Sequence, residues 1–216
     1  MAWVCPLKSL TFATCIGMPV IFEKQIDTAK KLAVWHITES ETELFEINHY
    51  LPDVKFTSKR NIELVVSRIL LNYLIGADAH LNLTKDKFGK PYLNNSEIAV
   101  SFSHSQQMVA CFIAMDGVSV GIDIEKKRER ISLMAEKFCT NRDQSGHEGI
   151  LHYHLVWGGK EVLYKIYAKR ELDFKKNLQI DLKTSEGVGH IMKDGKQTSH
   201  NLGYEFLSDY ILVWGF

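Results

Sequence analysis

Residues 118–125, VSVGIDIE, alternate apolar side chains with small or acidic ones. Successive side chains of a β-strand point to opposite faces, so this period of two predicts a strand with one apolar face. The residues expected on that face are Val118, Val120, Ile122 and Ile124. The other face then carries Asp123 and Glu125 side by side. Two buried carboxylates repel each other unless a cation lies between them, so the stretch predicts a site for a hard divalent ion.

A second stretch, residues 157–165 (WGGKEVLYK), has helical spacing and places Glu161 and Lys165 one turn apart on one face. The apolar stripe that we expect to be buried consists of Leu155, Val162, Leu163 and Ile166. Glu161 is a third carboxylate for the ion site, although an ordinary ion pair with Lys165, worth about 0.3–0.5 kcal/mol, is the simpler alternative. Gly158 and Gly159 each cost about 1 kcal/mol inside a helix relative to alanine. We expect another backbone or a ligand to approach closely there, or the helix to begin after them.

The region before these stretches carries further candidate binding residues. Residues 57–76 have apolar side chains at the spacing of an amphipathic helix, which we expect to lie on a sheet. The segment FGKPYL is a bent connection that can bring Lys90 to a ligand phosphate. Ser103 and His104 follow a strand predicted over residues 98–102, a common position for functional side chains. Most histidines at strand ends are only hydrogen-bonded, which is the simpler alternative for His104.

Short apolar runs predict strands in both parts of the chain. The predicted strands cover residues 20–22, 32–37, 98–102, 108–115, 118–125 and 210–214. Asp116-Gly117 is expected to form a two-residue hairpin turn that joins the fourth of these strands to the fifth. Two or three strands are expected between Gln179 and Phe216, with Asp194-Gly195 as a hairpin turn.

The composition indicates a folded protein without a general electrostatic partner. The 216 residues are 45% hydrophobic, enough to bury a sizeable core, and 26 basic residues balance 26 acidic ones. The four cysteines form no CxxC pair, which is typical of free thiols in a reducing compartment. No apolar run approaches the ~20 residues that span a bilayer. We therefore expect a cytoplasmic protein that binds neither nucleic acid nor membrane. A monomer is a separate expectation, to which the composition does not speak.

The segment before Met18 differs from the rest of the chain because it contains no motif. It lacks the basic start and the cleavage site of a secretory signal. We expect residues 1–17 to be a disordered extension or tether without a catalytic role; an ordered extra strand is the alternative. The remaining chain is expected to form an N-terminal half, residues 18–116, and a C-terminal half, residues 117–216.

Four motifs in order resemble those of the 4'-phosphopantetheinyl transferase superfamily, in its longer, surfactin-synthetase-activating, pseudo-dimeric type. GIDIE at 121–125 and WGGKEVLYK at 157–165 match the family's G-(I/V)-D-x-E strand and W-x-x-K-E-x-x-x-K helix. FGKPYL at 88–93 and FSHS at 102–105 match two further motifs, and the resemblance runs from about Arg60 to the C-terminus. It implies an α+β fold of two similar α/β halves in a pseudo-two-fold arrangement. Each half is a small sheet packed on a long helix, with the active site where the halves meet.

The resemblance implies an enzyme that transfers the 4'-phosphopantetheine arm of coenzyme A to a serine of an acyl or peptidyl carrier protein. Adenosine 3',5'-bisphosphate is released. By resemblance, Asp123, Glu125 and Glu161 hold Mg²⁺, with Mn²⁺ as the alternative ion. Both ions suit a site with oxygen ligands only. Lys165 binds the pyrophosphate, and Glu161 is a candidate base for the serine, directly or through a water. The implied coenzyme A ligands are Arg60, which matches better than Arg68, with Lys90, Pro91, Ser103 and His104.

Two features depart from the family pattern. Position 158 is glycine where the family usually has a small hydroxyl or thiol side chain, and 33 residues, fewer than usual, lie between Asp123 and Trp157. The missing length falls in the region that often shapes carrier contact. The basic run after Glu125 is either a solvated strand exit or a rim for an acidic partner.

Two other functions remain open. The first is a non-catalytic paralogue that binds coenzyme A or a carrier, against which the intact carboxylates and Lys165 argue. The second is a metal-dependent phosphohydrolase, which has no reason to carry the four motifs in this order.

Overall fold

The computed structural model describes residues 20–40, 42–43, 59–76, 82–169 and 171–216, a mixed α+β fold built mostly of strands. The predicted extension, residues 1–17, lies outside these residues, as does the side chain of Arg60. The strands are β1 (Val20–Gln25), β2 (Lys30–His36), β3 (Leu83–Lys85), β4 (Pro91–Leu93), β5 (Ala99–Ser105), β6 (Met108–Ala114), β7 (Gly121–Lys126), β8 (Leu178–Leu182), β9 (Glu186–Lys193), β10 (Lys196–Leu207) and β11 (Tyr210–Gly215). The helices are α1 (Lys59–Ile75), α2 (Ala135–Phe138) and α3 (Gly149–Tyr167), with a 3-10 helix over Glu129–Met134. None of these helices is long and apolar enough to cross a membrane.

The first sheet has the order β1-β2-β6-β5, with every neighbouring pair antiparallel, and α1 covers one of its faces. The helix predicted over residues 57–76 is confirmed. Its buried stripe packs on alternate side chains of β2 and β6, and the core so formed includes Val65, Val66, Ile69, Leu70, Ala33, Trp35, Cys111 and Ile113. A hairpin of β3 and β4 follows α1, and its turn contains Gly89 at φ +92°.

The second sheet has the order β7-β11-β10-β9-β8, and α3 lies across it. The helix begins at Gly149, so Gly158 and Gly159 are inside it and buried. A Cβ at Gly158 would lie 2.8 Å from Val213 Cγ2, and a Cβ at Gly159 would lie 2.8 Å from Ile180 Cδ1. Side chains of the sheet thus fill the space that the glycines leave, and this close packing offsets their helix propensity.

The two sheets pack face to face through a third core. It joins the remaining face of β2 and β6 to the apolar face of β7 and β11, with Leu32, Val34, Phe112, Val120, Ile122, Ile124 and Leu212 among its members. The layers are therefore helix, sheet, sheet and helix. The predicted alternation in residues 118–125 is confirmed for Val120, Ile122 and Ile124, but the strand begins at Gly121 and Val118 is exposed.

The predicted hairpin between β6 and β7 is wrong. Strand β6 lies between β2 and β5, so both of its edges are occupied, and β7 pairs with β11 in the other sheet. Asp116-Gly117 instead begins the connection between the sheets, with Gly117 at φ +74°. The Asp194-Gly195 hairpin between β9 and β10 is confirmed, but the tail contains four strands where two or three were expected. Strand β9 (EGVGHIMK) contains two glycines, which weakens its strand pattern, although β8 (LQIDL) alternates buried apolar side chains with polar ones.

Candidate functional site

Three carboxylates lie between β7 and α3, near enough for the charges of Asp123 and Glu125 to act on Glu161. Asp123 is buried and Glu125 partly buried on the strand face that looks toward the helix. Gly121 shares this face, and a Cβ there would clash with the Val162 carbonyl of α3, so strand and helix approach closely. Glu161 lies on the facing side of α3. Burial raises the Glu161 pKa to about 7, and the negative charges of Asp123 and Glu125 add to this rise. Burial and the Asp123 charge also raise the Glu125 pKa. The site thus concentrates negative charge at a partly buried position, where water screens it less than at the surface.

Lys165 supplies a positive charge within this cluster. Its Nζ lies 2.9 Å from Asp123 Oδ1 and donates to the Ile122 carbonyl at 2.7 Å. The structure therefore pairs Lys165 with Asp123, whereas the simpler sequence alternative paired it with Glu161. The carbonyl and the carboxylate both belong to β7, which passes under the last turns of α3, so one ammonium group reaches both acceptors.

A row of serines on β5 supports the carboxylate strand. The hydroxyls of Ser101, Ser103 and Ser105 accept hydrogen bonds from the backbone amides of Ile122, Ile124 and Lys126. The Ser103 hydroxyl also donates to Asp123 Oδ1 at 3.0 Å. Sequence reasoning placed Ser103 among the coenzyme A ligands and missed this contact; the alternating S-x-S-x-S pattern of residues 101–105 was the available signal. The predicted role of Ser103 toward coenzyme A stays a prediction.

A cavity of about 750 Å³ opens beside this cluster, between α1, the β3–β4 hairpin, β5 and the end of α3. Several predicted site residues line it together, namely Lys90, Pro91, His104 and Lys165. Sequence reasoning missed Lys85, Lys169 and Glu63, which line it as well, and ranked Arg68 below Arg60. Six of these side chains are basic and one is acidic, a balance that favours an anionic ligand. The volume lies within the range of small-molecule sites.

Neighbouring elements hold Lys90 and His104 at the wall of the cavity. Lys90 Nζ donates to Ser119 Oγ at 2.6 Å, and Ser119 Oγ donates to the Ile166 carbonyl at 3.3 Å, so the β3–β4 hairpin is tied to the end of α3. Burial lowers the Lys90 pKa. On β5, His104 Nδ1 lies 3.1 Å from Glu63 Oε2 on α1. This contact orients the imidazole ring and leaves Nε2 available to a ligand.

The carboxylates fit a hard cation in charge and donor type. Within the described part of the chain, no group of three or more His, Cys, Asp or Glu residues is arranged to hold a metal ion. The raised pKa values of Glu125 and Glu161 nevertheless mark negative charge that a cation would relieve. A Cβ at Gly158 would lie 3.7 Å from Asp123 Oδ2, so this oxygen is the one near the helix backbone at Gly158. Oxygen donors of this kind suit Mg²⁺ or Mn²⁺.

One polar contact near the site is structural. Lys160 is fully buried, and its Nζ donates to Asp143 Oδ2 at 2.9 Å and to the carbonyls of Phe138 and Phe174. It ties the loops on both sides of α3 to the helix. Burial lowers the Lys160 pKa. Lys160 is part of the helix motif, but its role could not be predicted from the sequence because its partners are distant along the chain.

No protein-family model matches the chain, and no curated protein matches it. The carboxylates, Lys165 and the basic cavity beside them are the features that bear on function.

Proposed function

We propose that the protein transfers the 4'-phosphopantetheine arm of coenzyme A to a serine hydroxyl of an acyl or peptidyl carrier protein, with adenosine 3',5'-bisphosphate as the second product. The observation that carries the proposal is the cavity lined by Lys90, His104 and Lys165, which belong to three different sequence motifs. Lys165 in turn contacts Asp123 of the fourth motif. Motifs far apart in the sequence thus converge on one basic site.

The charge of the cavity suits the substrate. Coenzyme A carries a pyrophosphate and a 3'-phosphate, and ammonium, guanidinium and imidazolium groups bind such anions by charge-assisted hydrogen bonds. Lys90 and His104 line the cavity from different elements, the β3–β4 hairpin and β5. They can therefore contact different oxygens of one elongated ligand.

In the proposed reaction the serine oxygen attacks the phosphorus that bears the pantetheine arm. A new O–P bond forms, the P–O bond to the adenosine-side phosphate breaks, and the serine proton is released. Glu161 is the candidate proton acceptor for the serine hydroxyl, directly or through a water. Lys165 lies where it can neutralise charge that develops on the pyrophosphate. Asp123, Glu125 and Glu161 would hold Mg²⁺, which when bound stabilises charge on the phosphates.

The layered fold supports the arrangement that the resemblance implies. Each of the proposed halves, 18–116 and 117–216, contains one long helix packed on one sheet: α1 on the first sheet and α3 on the second. We propose that a pseudo-two-fold axis relates these halves. The cavity lies at their junction, because α1 and β5 form one side of it and the end of α3 forms another.

Mass spectrometry of intact carrier proteins tests the proposal. Incubation with coenzyme A, Mg²⁺ and a panel of apo acyl and peptidyl carriers should add ~340 Da, the mass of the transferred arm. Lys165→Ala should reduce transfer by orders of magnitude, whereas the exposed control Lys196→Ala should transfer at the rate of the unmodified protein. Coenzyme A binding without any mass gain across the panel would support the non-catalytic paralogue instead. Cleavage of coenzyme A without carrier modification would support a phosphohydrolase.

A further inference from the structure

Strand β5 carries serine at every second position from 101 to 105, and each hydroxyl meets a backbone amide of β7. Ser101 accepts from Ile122 at 3.2 Å, and Ser103 accepts from Ile124 at 3.2 Å. The residue numbers increase together along both strands, so β5 and β7 run in the same direction. Since the two strands belong to different sheets, the serines determine the register between the sheets.

Ser103 differs from the other two in what its proton contacts. A hydroxyl has one proton, and the Ile124 amide already occupies an acceptor position of Ser103 Oγ. Asp123 Oδ1 lies 3.0 Å away and can only accept, so the Ser103 proton points to it. Ser105 lies 3.5 Å from Glu125 Oε2, at the limit of a hydrogen bond. Ser101 meets the same kind of amide but has no carboxylate opposite, because the preceding residue of β7 is Gly121 rather than an acid.

Two donors hold the same oxygen of Asp123. Lys165 Nζ lies 2.9 Å from Oδ1, the atom to which Ser103 also donates. The second oxygen, Oδ2, is on the α3 side, where a Cβ at Gly158 would lie 3.7 Å from it. The carboxylate is thereby held through Oδ1, while Oδ2 lies near Gly158 of the helix that also carries Glu161.

We propose that Ser103 is a positioning residue, which turns Asp123 so that Oδ2 faces a divalent ion. The inference rests on the proposed function, since it takes Asp123 as an ion ligand. Ser103 is 8% exposed and is absent from the lining of the cavity, which favours a role toward the carboxylate over a role toward coenzyme A. Groups that orient a ligand carboxylate typically change metal affinity 10–100-fold when removed.

Binding of Mn²⁺ alone to the full chain tests the inference without any activity assay. The free Mn²⁺ signal in electron paramagnetic resonance gives the dissociation constant at fixed pH and ionic strength. Ser103→Ala should weaken binding at least tenfold, as expected for loss of an orienting hydrogen bond. Ser101→Ala is the matched control, because it loses the same kind of serine-to-amide bond without touching a carboxylate, and its affinity should match that of the unmodified protein.

The outcomes separate this inference from the proposed reaction. Equal Mn²⁺ affinity in Ser103→Ala and Ser101→Ala would overturn the positioning role. If Ser103→Ala does not fold, as judged by circular dichroism, Ser103→Cys replaces it, because sulfur fills the site but is a weak donor. An unmodified protein that does not bind Mn²⁺ would overturn the inference together with the ion site. Mn²⁺ binding that depends on Ser103, without transfer to any carrier, would contradict only the proposed reaction.

Discussion

Glu161→Gln should remove a pH-dependent loss of stability from the metal-free protein. Burial and the neighbouring carboxylates raise the Glu161 pKa from 4.5 to about 7 in the folded state, and the unfolded chain keeps the lower value. Between these two pKa values the folded state binds more protons than the unfolded state, so the free energy of unfolding falls as pH rises. The contribution of Glu161 is fully present below pH 4.5 and is lost as pH rises through about 7.

The size of this effect follows from the pKa shift. At about 1.4 kcal/mol per pKa unit, the shift corresponds to an upper bound of about 3 kcal/mol. Glu161 is only partly buried, so solvent screening reduces the expected loss to about 1–2 kcal/mol. Buried His154 contributes with the opposite sign, because burial lowers its pKa and stability then rises with pH. The difference between the variant and the unmodified protein is therefore the diagnostic quantity.

Urea unfolding with EDTA at pH 5 and pH 8 measures this difference. The difference in free energy of unfolding, Glu161→Gln minus the unmodified protein, should be about 1–2 kcal/mol more positive at pH 8 than at pH 5. Glu186→Gln, a change at an exposed carboxylate, should keep the pH dependence of the unmodified protein. Mg²⁺ at about 100 times its dissociation constant should raise the free energy of unfolding of the unmodified protein by roughly 2.7 kcal/mol at pH 8. A stability difference between Glu161→Gln and the unmodified protein that is the same at both pH values would refute the reasoning.

Two further predictions concern the buried ion pair and the cavity. Lys160→Met should lower the free energy of unfolding by about 3–5 kcal/mol, because it leaves the Asp143 carboxylate buried without its ion-pair partner. Urea unfolding measures this loss beside the exposed control Lys176→Met, and a loss below about 1 kcal/mol would contradict it. Lys90→Ala and His104→Ala should raise KM for coenzyme A more than they lower kcat, because each removes a donor to ground-state phosphates. Steady-state kinetics with an unchanged KM in both variants would remove these residues from the binding site.

Local sequence pattern predicted the elements that depend on chain geometry alone. The period of two in residues 118–125 placed Asp123 on the strand face opposite to that of Ile122 and Ile124. The helical spacing of residues 57–76 predicted α1 and its buried stripe. Asp194-Gly195 predicted its hairpin because both residues adopt positive φ there, which a two-residue turn requires. These features follow from the side-chain periods of strands and helices and from turn geometry, which act within a few residues.

Contacts between distant segments required the tertiary structure. Nothing local shows that both edges of β6 are occupied, so the partner of β7 could not be predicted from the Asp116-Gly117 turn. The spacing of Glu161 and Lys165 shows that they are neighbours on a helix, but Lys165 pairs with Asp123 because the strand beneath α3 offers a carboxylate and a carbonyl together. The contact from Ser103 to Asp123 likewise exists only where two edge strands lie side by side. Sequence thus determined which side chains share a face, and the packing of sheets and helices decided which of them meet.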